Sequence, residues 1–133
     1  MTDIPYLSAA QLRDIPIPPA TGPRPRCCAH LKAAGWESLP ASFQERELRV
    51  LGTLRDRQSL DPPTIEEFHP ARTGFWSADA PIAPNYFPYN QSELWQCVVC
   101  ARPFLRYTES GGYYHEDRIR EFDPELVIDQ PPP

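Results

Sequence analysis

Several familiar signals are missing from this sequence, and each absence excludes something. No run approaches the roughly 18 consecutive apolar residues of a membrane-crossing helix. The opening "MTDIPYLSAAQLRDIPIPP" lacks the basic start and apolar stretch of a secretory signal, so a cytoplasmic location is expected. A basic excess is missing too: 13 Lys and Arg face 18 Asp and Glu, for a formal net charge of -5. Affinity for nucleic acid rests largely on Lys and Arg neutralising phosphates, so this balance argues against a general phosphate-binding surface. It suits a partner with a basic face. There is no P-loop, GxGxxG, HExxH or GxSxG, and no internal repeat.

Proline is in excess, with 18 among 133 residues against a usual share of roughly 5%. Each proline fixes φ and removes a backbone donor, so long helices and central strands are excluded wherever prolines cluster. The length suits one domain with a limited core. Residues 1–26 read as a Pro-rich arm, 27–129 as the domain and 130–133 as a tail. In the arm, Ser8 is placed to cap a short helix to about Arg13, with Leu12 on its apolar side. A PxxP follows at Pro16 to Pro19, in what reads as an extended spacer.

The segment "CAHLKAA" has good helix formers, and Gly35 is placed to end that helix. Ser42 and Glu45 fit a capping box for a short helix passing into a strand over about 48–54. Residues 61–93 carry a proline every few positions yet are rich in aromatics, which predicts an ordered loop covering a sheet. From Leu94 the pattern turns to strands: "LWQC", "PFLRYTE" and "YYHEDRIREF", the last two joined at Ser110-Gly111-Gly112. Their alternation is two-sided, with Leu105 and Tyr107 on one face and Phe104 and Arg106 on the other. "ELVI" adds a candidate edge strand. The expected class is α+β, with three or four antiparallel strands, short helices and long Pro-rich ordered loops.

Chemistry concentrates in the cysteines. Cys97 and Cys100 have the spacing at which two thiolates from one tight turn reach a single tetrahedral zinc. They sit between a strand and a hairpin rather than before a helix, which argues against the thioredoxin-type redox reading. "CCAH" supplies the other half. Cys27 and His30 are three apart and share one side of a helical turn, whereas adjacent side chains diverge. The expected ligands are therefore Cys27, His30, Cys97 and Cys100, with Cys28, His69 and His115 as replacements. A structural Zn2+ held this way staples the front of the domain to its C-terminal hairpin. The plain alternative is that the thiols are small buried hydrophobes. Cys28, His115 and Asp117 contain the residue types of a nucleophile, base and orienter, but no spacing supports that arrangement.

Two surfaces are candidates for partners. The aromatic loop offers Phe75, Trp76, Tyr86, Phe87 and Tyr89, with Glu66 and Glu67 as its acidic part, facing a basic protein. Arg106 and Arg118 with Tyr107, Tyr113 and Tyr114 form the mix used for single-stranded nucleic acid, but neighbouring acids cancel most of that charge.

Residues 94–122 resemble a zinc ribbon: "CVVC" is the knuckle and "PFLRYTESGGYYHEDRIREF" the hairpin that follows. Zinc ribbons scaffold binding to protein or nucleic acid more than they catalyse, so the resemblance implies a non-enzymatic binding module. By size, charge and aromatic loop the chain is also similar to small acidic bacterial immunity proteins, which neutralise a toxin. A protein-binding module of the inhibitor or immunity kind is the leading expectation. A nucleic-acid-binding ribbon is the second, and a zinc enzyme with an open coordination position the third.

Overall fold

The computed structural model describes residues 4–18, 26–31, 33–56, 64–110 and 113–133. Pro19 of the PxxP, the first three residues of the 61–93 loop and the Gly111-Gly112 turn lie outside them. The centre is one antiparallel sheet of five strands: β1 (Glu37–Ser38), β2 (Leu48–Thr53), β3 (Glu93–Cys97), β4 (Pro103–Ser110) and β5 (His115–Glu121), in spatial order β1-β5-β4-β3-β2. The extra strand over the expected three or four is β1, only two residues long and paired through Glu37 to Ile119 and Ser38 to Arg118. So short a strand carries no period-2 pattern for a sequence reading to find. "ELVI" forms a 3-10 turn at Pro124–Leu126 and one parallel bridge, Val127 to Ile82, instead of a strand.

Both faces of the sheet are covered. Successive side chains of a strand point to opposite faces, and β4 divides accordingly. Leu105 and Tyr107 join a core with Leu12, Trp36, Ile82 and Tyr89. Phe104 joins a second, smaller core with Cys28, Leu31, Leu48, Cys97 and Ile119. The larger core is roofed by the N-terminal helix α1 (Ala9–Arg13) and by residues 64–92, which contain only short 3-10 turns at Pro70–Arg72 and Tyr89–Gln91. Ser8 caps α1 through a capping box with Gln11, and Leu12 is fully buried. Upstream, the chain crosses the sheet edge: the Leu7 N–H donates to the Thr53 carbonyl at 2.9 Å and Thr53 N–H to the Pro5 carbonyl at 2.8 Å. A Cβ at Gly52 would come within 2.6 Å of the Leu7 side chain, so this crossing needs glycine.

Two expected helices take other forms. Residues Arg26–Leu31 form a 3-10 helix kinked at Cys28, whose φ of -133° is not helical. Gly35 ends no helix; it lies against the Trp76 backbone, where a Cβ would overlap the carbonyl oxygen. The capping box at Ser42 is absent, and Glu45–Glu47 is a single 3-10 turn after Gln44 with no side-chain cap. A single turn that passes directly into a strand gives no length over which an α-helix could propagate.

A fully buried arginine, Arg120, anchors the roof. Its guanidinium donates to the Tyr89 hydroxyl and to the carbonyls of Ala80 (2.6 Å) and Ala78 (3.3 Å). Hydrogen bonds to a charged donor are the stronger kind, so this contact fixes the irregular chain around Ala80 to β5.

Candidate metal centre

Cys97 ends β3 and Cys100 closes the turn that follows. The turn is built by backbone bonds: Ala101 N–H donates to the Cys97 carbonyl at 2.9 Å, and Cys97 N–H to the Arg102 carbonyl at 2.9 Å. Val98 N–H reaches across to the Glu47 carbonyl at 3.0 Å, tying the turn to the start of β2. Ala101 adopts φ 65°, the left-handed region that a side chain disfavours. That conformation reverses the chain so that the Arg102 N–H points back at the Cys100 sulfur.

The kinked 3-10 helix supplies the other two sulfurs. Cys27, Cys28, Cys97 and Cys100 place their Sγ atoms within 4.8 Å of one another, with Cys28 and Cys100 at 3.6 Å. All four are free thiols. A tetrahedral ion with Zn–S bonds of about 2.3 Å requires sulfurs roughly 3.8 Å apart. The cluster therefore sits within metal-binding distance, and closing it onto an ion takes shifts of an ångström or less.

His30 does not join this cluster. Its Nε2 lies 2.6 Å from the Glu47 carboxylate, on the surface. Cys28 takes the place expected of it. The expectation assumed a regular helical turn, in which residues three apart share a side and neighbours diverge. The kink at Cys28 removes that premise and lets two adjacent thiols converge. Of the replacement histidines, His69 pairs with Glu67 at 2.7 Å and His115 with Ser110 at 3.0 Å, both at exposed positions.

The sulfurs differ in electrostatics. Burial pushes the Cys28 thiol up to about 12, with the neighbouring thiols adding to the effect. Burial also raises Cys27, again reinforced by its neighbours. Burial opposes ionisation at Cys100 as well, but the Arg102 N–H and the surrounding S–H donors outweigh it and lower its pKa. The surroundings of Cys100 thus favour its ionised form. Metal binding requires deprotonated thiols, so affinity falls as pH is lowered.

The partner-surface residues divide. Tyr86 and Tyr89 are buried, and Phe75 and Phe87 are packed against the larger core. Tyr107 meets Trp36, Phe75 and Phe87 edge-on, with centroids 4.8, 6.5 and 5.8 Å away. Phe75, Phe87 and Tyr89 therefore pack over the sheet, while Tyr86 is buried beside Phe68 with its hydroxyl donating to the Pro131 carbonyl. Trp76 remains 55% exposed, with the Arg118 guanidinium 4.7 Å from its ring, and Glu66 and Glu67 are exposed. Arg106 lies between the rings of Phe43 (4.8 Å) and Trp95 (4.5 Å) and pairs with Glu45. Arg118 pairs with Glu109 and Glu116. Both arginines considered for nucleic acid are thus engaged with carboxylates.

Among the described residues no helix is long and apolar enough to cross a membrane. No family model, no curated protein and no solved structure matches the chain.

Proposed function

We propose that the chain is a zinc-stabilised, non-enzymatic binding module in which Cys27, Cys28, Cys97 and Cys100 hold one structural Zn2+. The carrying observation is the convergence of four free thiols within 4.8 Å from two segments far apart in sequence. An all-thiolate tetrahedron selects zinc or iron over hard cations. Four protein ligands close the coordination sphere, leaving no position for a substrate or reactive water, which favours a structural over a catalytic role. The knuckle of Cys97–Cys100 with the β4–β5 hairpin is the zinc-ribbon-like half. The other half is a kinked 3-10 helix in place of a second knuckle.

The test is elemental analysis of protein purified without added metal, with circular dichroism before and after a strong chelator. One zinc per chain, and loss of structure on its removal, is the expected result. An intact fold carrying no metal sinks the reading, and iron with a visible absorption band replaces zinc.

The module's partner is a protein with a basic face, met by exposed Glu66 and Glu67 beside Ile65, which is 80% exposed. An inhibitor or immunity protein is one form such a module takes. Reversing both charges is expected to slow association several-fold at low salt. An unchanged association rate removes this surface.

A further inference from the structure

The four sulfurs are not equivalent, and the difference bears on regulation of the centre proposed above, on which this inference rests. Cys28 and Cys97 are buried at 0% and 2% exposure inside the smaller core, while Cys27 and Cys100 are only partly covered. Cys27 and Cys100 are therefore the members of the cluster nearer to solvent. Of these two, Cys100 is in direct contact with buried Cys28 at 3.6 Å. A disulfide sulfur pair is about 2.05 Å apart, so bonding these two requires a short approach. They belong to different segments, the kinked 3-10 helix and the knuckle turn, which are the two segments a metal would join.

We propose that the centre has two alternative staples, a zinc tetrathiolate under reducing conditions and a Cys28–Cys100 disulfide after attack by a peroxide. The Cys100 thiolate attacks one peroxide oxygen and breaks the O–O bond, giving a sulfenic acid and hydroxide. The Cys28 thiolate then attacks that sulfur, the S–S bond forms, and a second hydroxide leaves. Two solvent protons convert both hydroxides to water, so two thiolates lose two electrons in total and the peroxide gains them. Cys27 and Cys97 would then be the only thiolates left and could no longer close a four-ligand site around an ion. The disulfide still joins the 3-10 helix to the knuckle, so Leu31 stays against Phe104 and Leu48 in the smaller core. Oxidation releases metal without releasing the segment.

The experiment uses the full chain, with its zinc content measured first. Hydrogen peroxide is added stepwise while a chromogenic chelator reports zinc release. Thiols are counted, unreduced peptides are mapped by mass spectrometry, and amide exchange is followed. The expected result is one zinc released per two thiols lost, a dominant Cys28–Cys100 cross-link, and retained protection over 26–31 and β2. A dithiol with zinc should reverse all three. Zinc retained under oxidation, linkage within each pair (Cys27–Cys28 and Cys97–Cys100), or sulfinic acids in place of a disulfide overturns the inference while leaving the zinc module standing. A chain that carries no zinc at the outset overturns the module, and this inference with it.

Discussion

Replacing Cys28 and His30 separately distinguishes the observed cluster from the ligand set expected of a regular helix. Structural zinc sites bind with apparent free energies of about 10–16 kcal/mol. Shared over four ligands, that is about 3 kcal/mol per thiolate, or roughly 100-fold in affinity for Cys28→Ser. His30 contributes a hydrogen-bonded contact with Glu47 in which the two side chains are 32% and 20% exposed. Such a pair is worth about 0.2–1 kcal/mol. Any influence of His30→Ala on metal binding is therefore expected to stay below about fivefold. The assay is competition for zinc between the protein and a chromogenic chelator of known affinity, at fixed pH because ligand deprotonation is part of binding. It reads metal occupancy and is separate from a melt, which a polar Ser in the smaller core would also move. His30→Ala losing affinity as steeply as Cys28→Ser would refute the four-thiolate assignment. So would Cys28→Ser binding as tightly as the parent.

Three further outcomes follow from single positions. Ala101→Gly should stabilise the fold by about 0.5–1 kcal/mol: relief of the left-handed strain is worth about 1–2 kcal/mol, less the roughly 0.5–1 kcal/mol of added unfolded-state entropy. An unchanged or lower denaturant midpoint counts against strain at φ 65°. Gly35→Ala should cost about 1–3 kcal/mol, because the new Cβ meets the backbone of Trp76, which cannot rotate away; a neutral effect in the same melt contradicts that close approach. At alkaline pH, burial and then the Glu109 charge raise Tyr107, and burial raises Tyr89 despite the opposing Arg120. The unfolded chain thus ionises first, near pH 10. Stability is unaffected below that value and falls above it, by up to about 1.4 kcal/mol per pH unit for each tyrosine. Tyr107→Phe should shallow the fall, and an identical slope in that variant removes Tyr107 as its cause.

What was legible in the sequence depended on how local the determining physics was. Ser8 and Leu12 were readable because a cap and an apolar position lie within one helical turn of each other. The strands β3, β4 and β5 were readable from period-2 alternation, and that alternation already separated Leu105 and Tyr107 from Phe104. What failed was long-range. Strand β1 exists only because β5 is there to pair with it. Arg120 reads as one more charged strand residue until residues 78–80 fold over it and supply carbonyls that a sequence cannot locate. The loop aromatics were legible as ordered chain, but which of them turn inward is decided by Trp36 and Tyr107, contributed from other elements.

The cysteine site shows the same division within a single turn. Cys97 and Cys100 were assigned from spacing, because the chain that positions them is the chain between them. Whether Cys28 or His30 faces the other sulfurs turns on one backbone dihedral. A regular helix sends Cys27 and His30 to one side, while a φ of -133° at Cys28 turns that sulfur inward and leaves His30 to Glu47. The buried company of Cys28 supplies the reason for the kink. Leu31, Phe104 and Ile119 form the apolar surface against which the segment packs, and a sulfur is tolerated there where an imidazole, with two polar nitrogens to satisfy, is not. The smaller core and the thiol cluster are therefore one unit, each setting the conformation that the other requires.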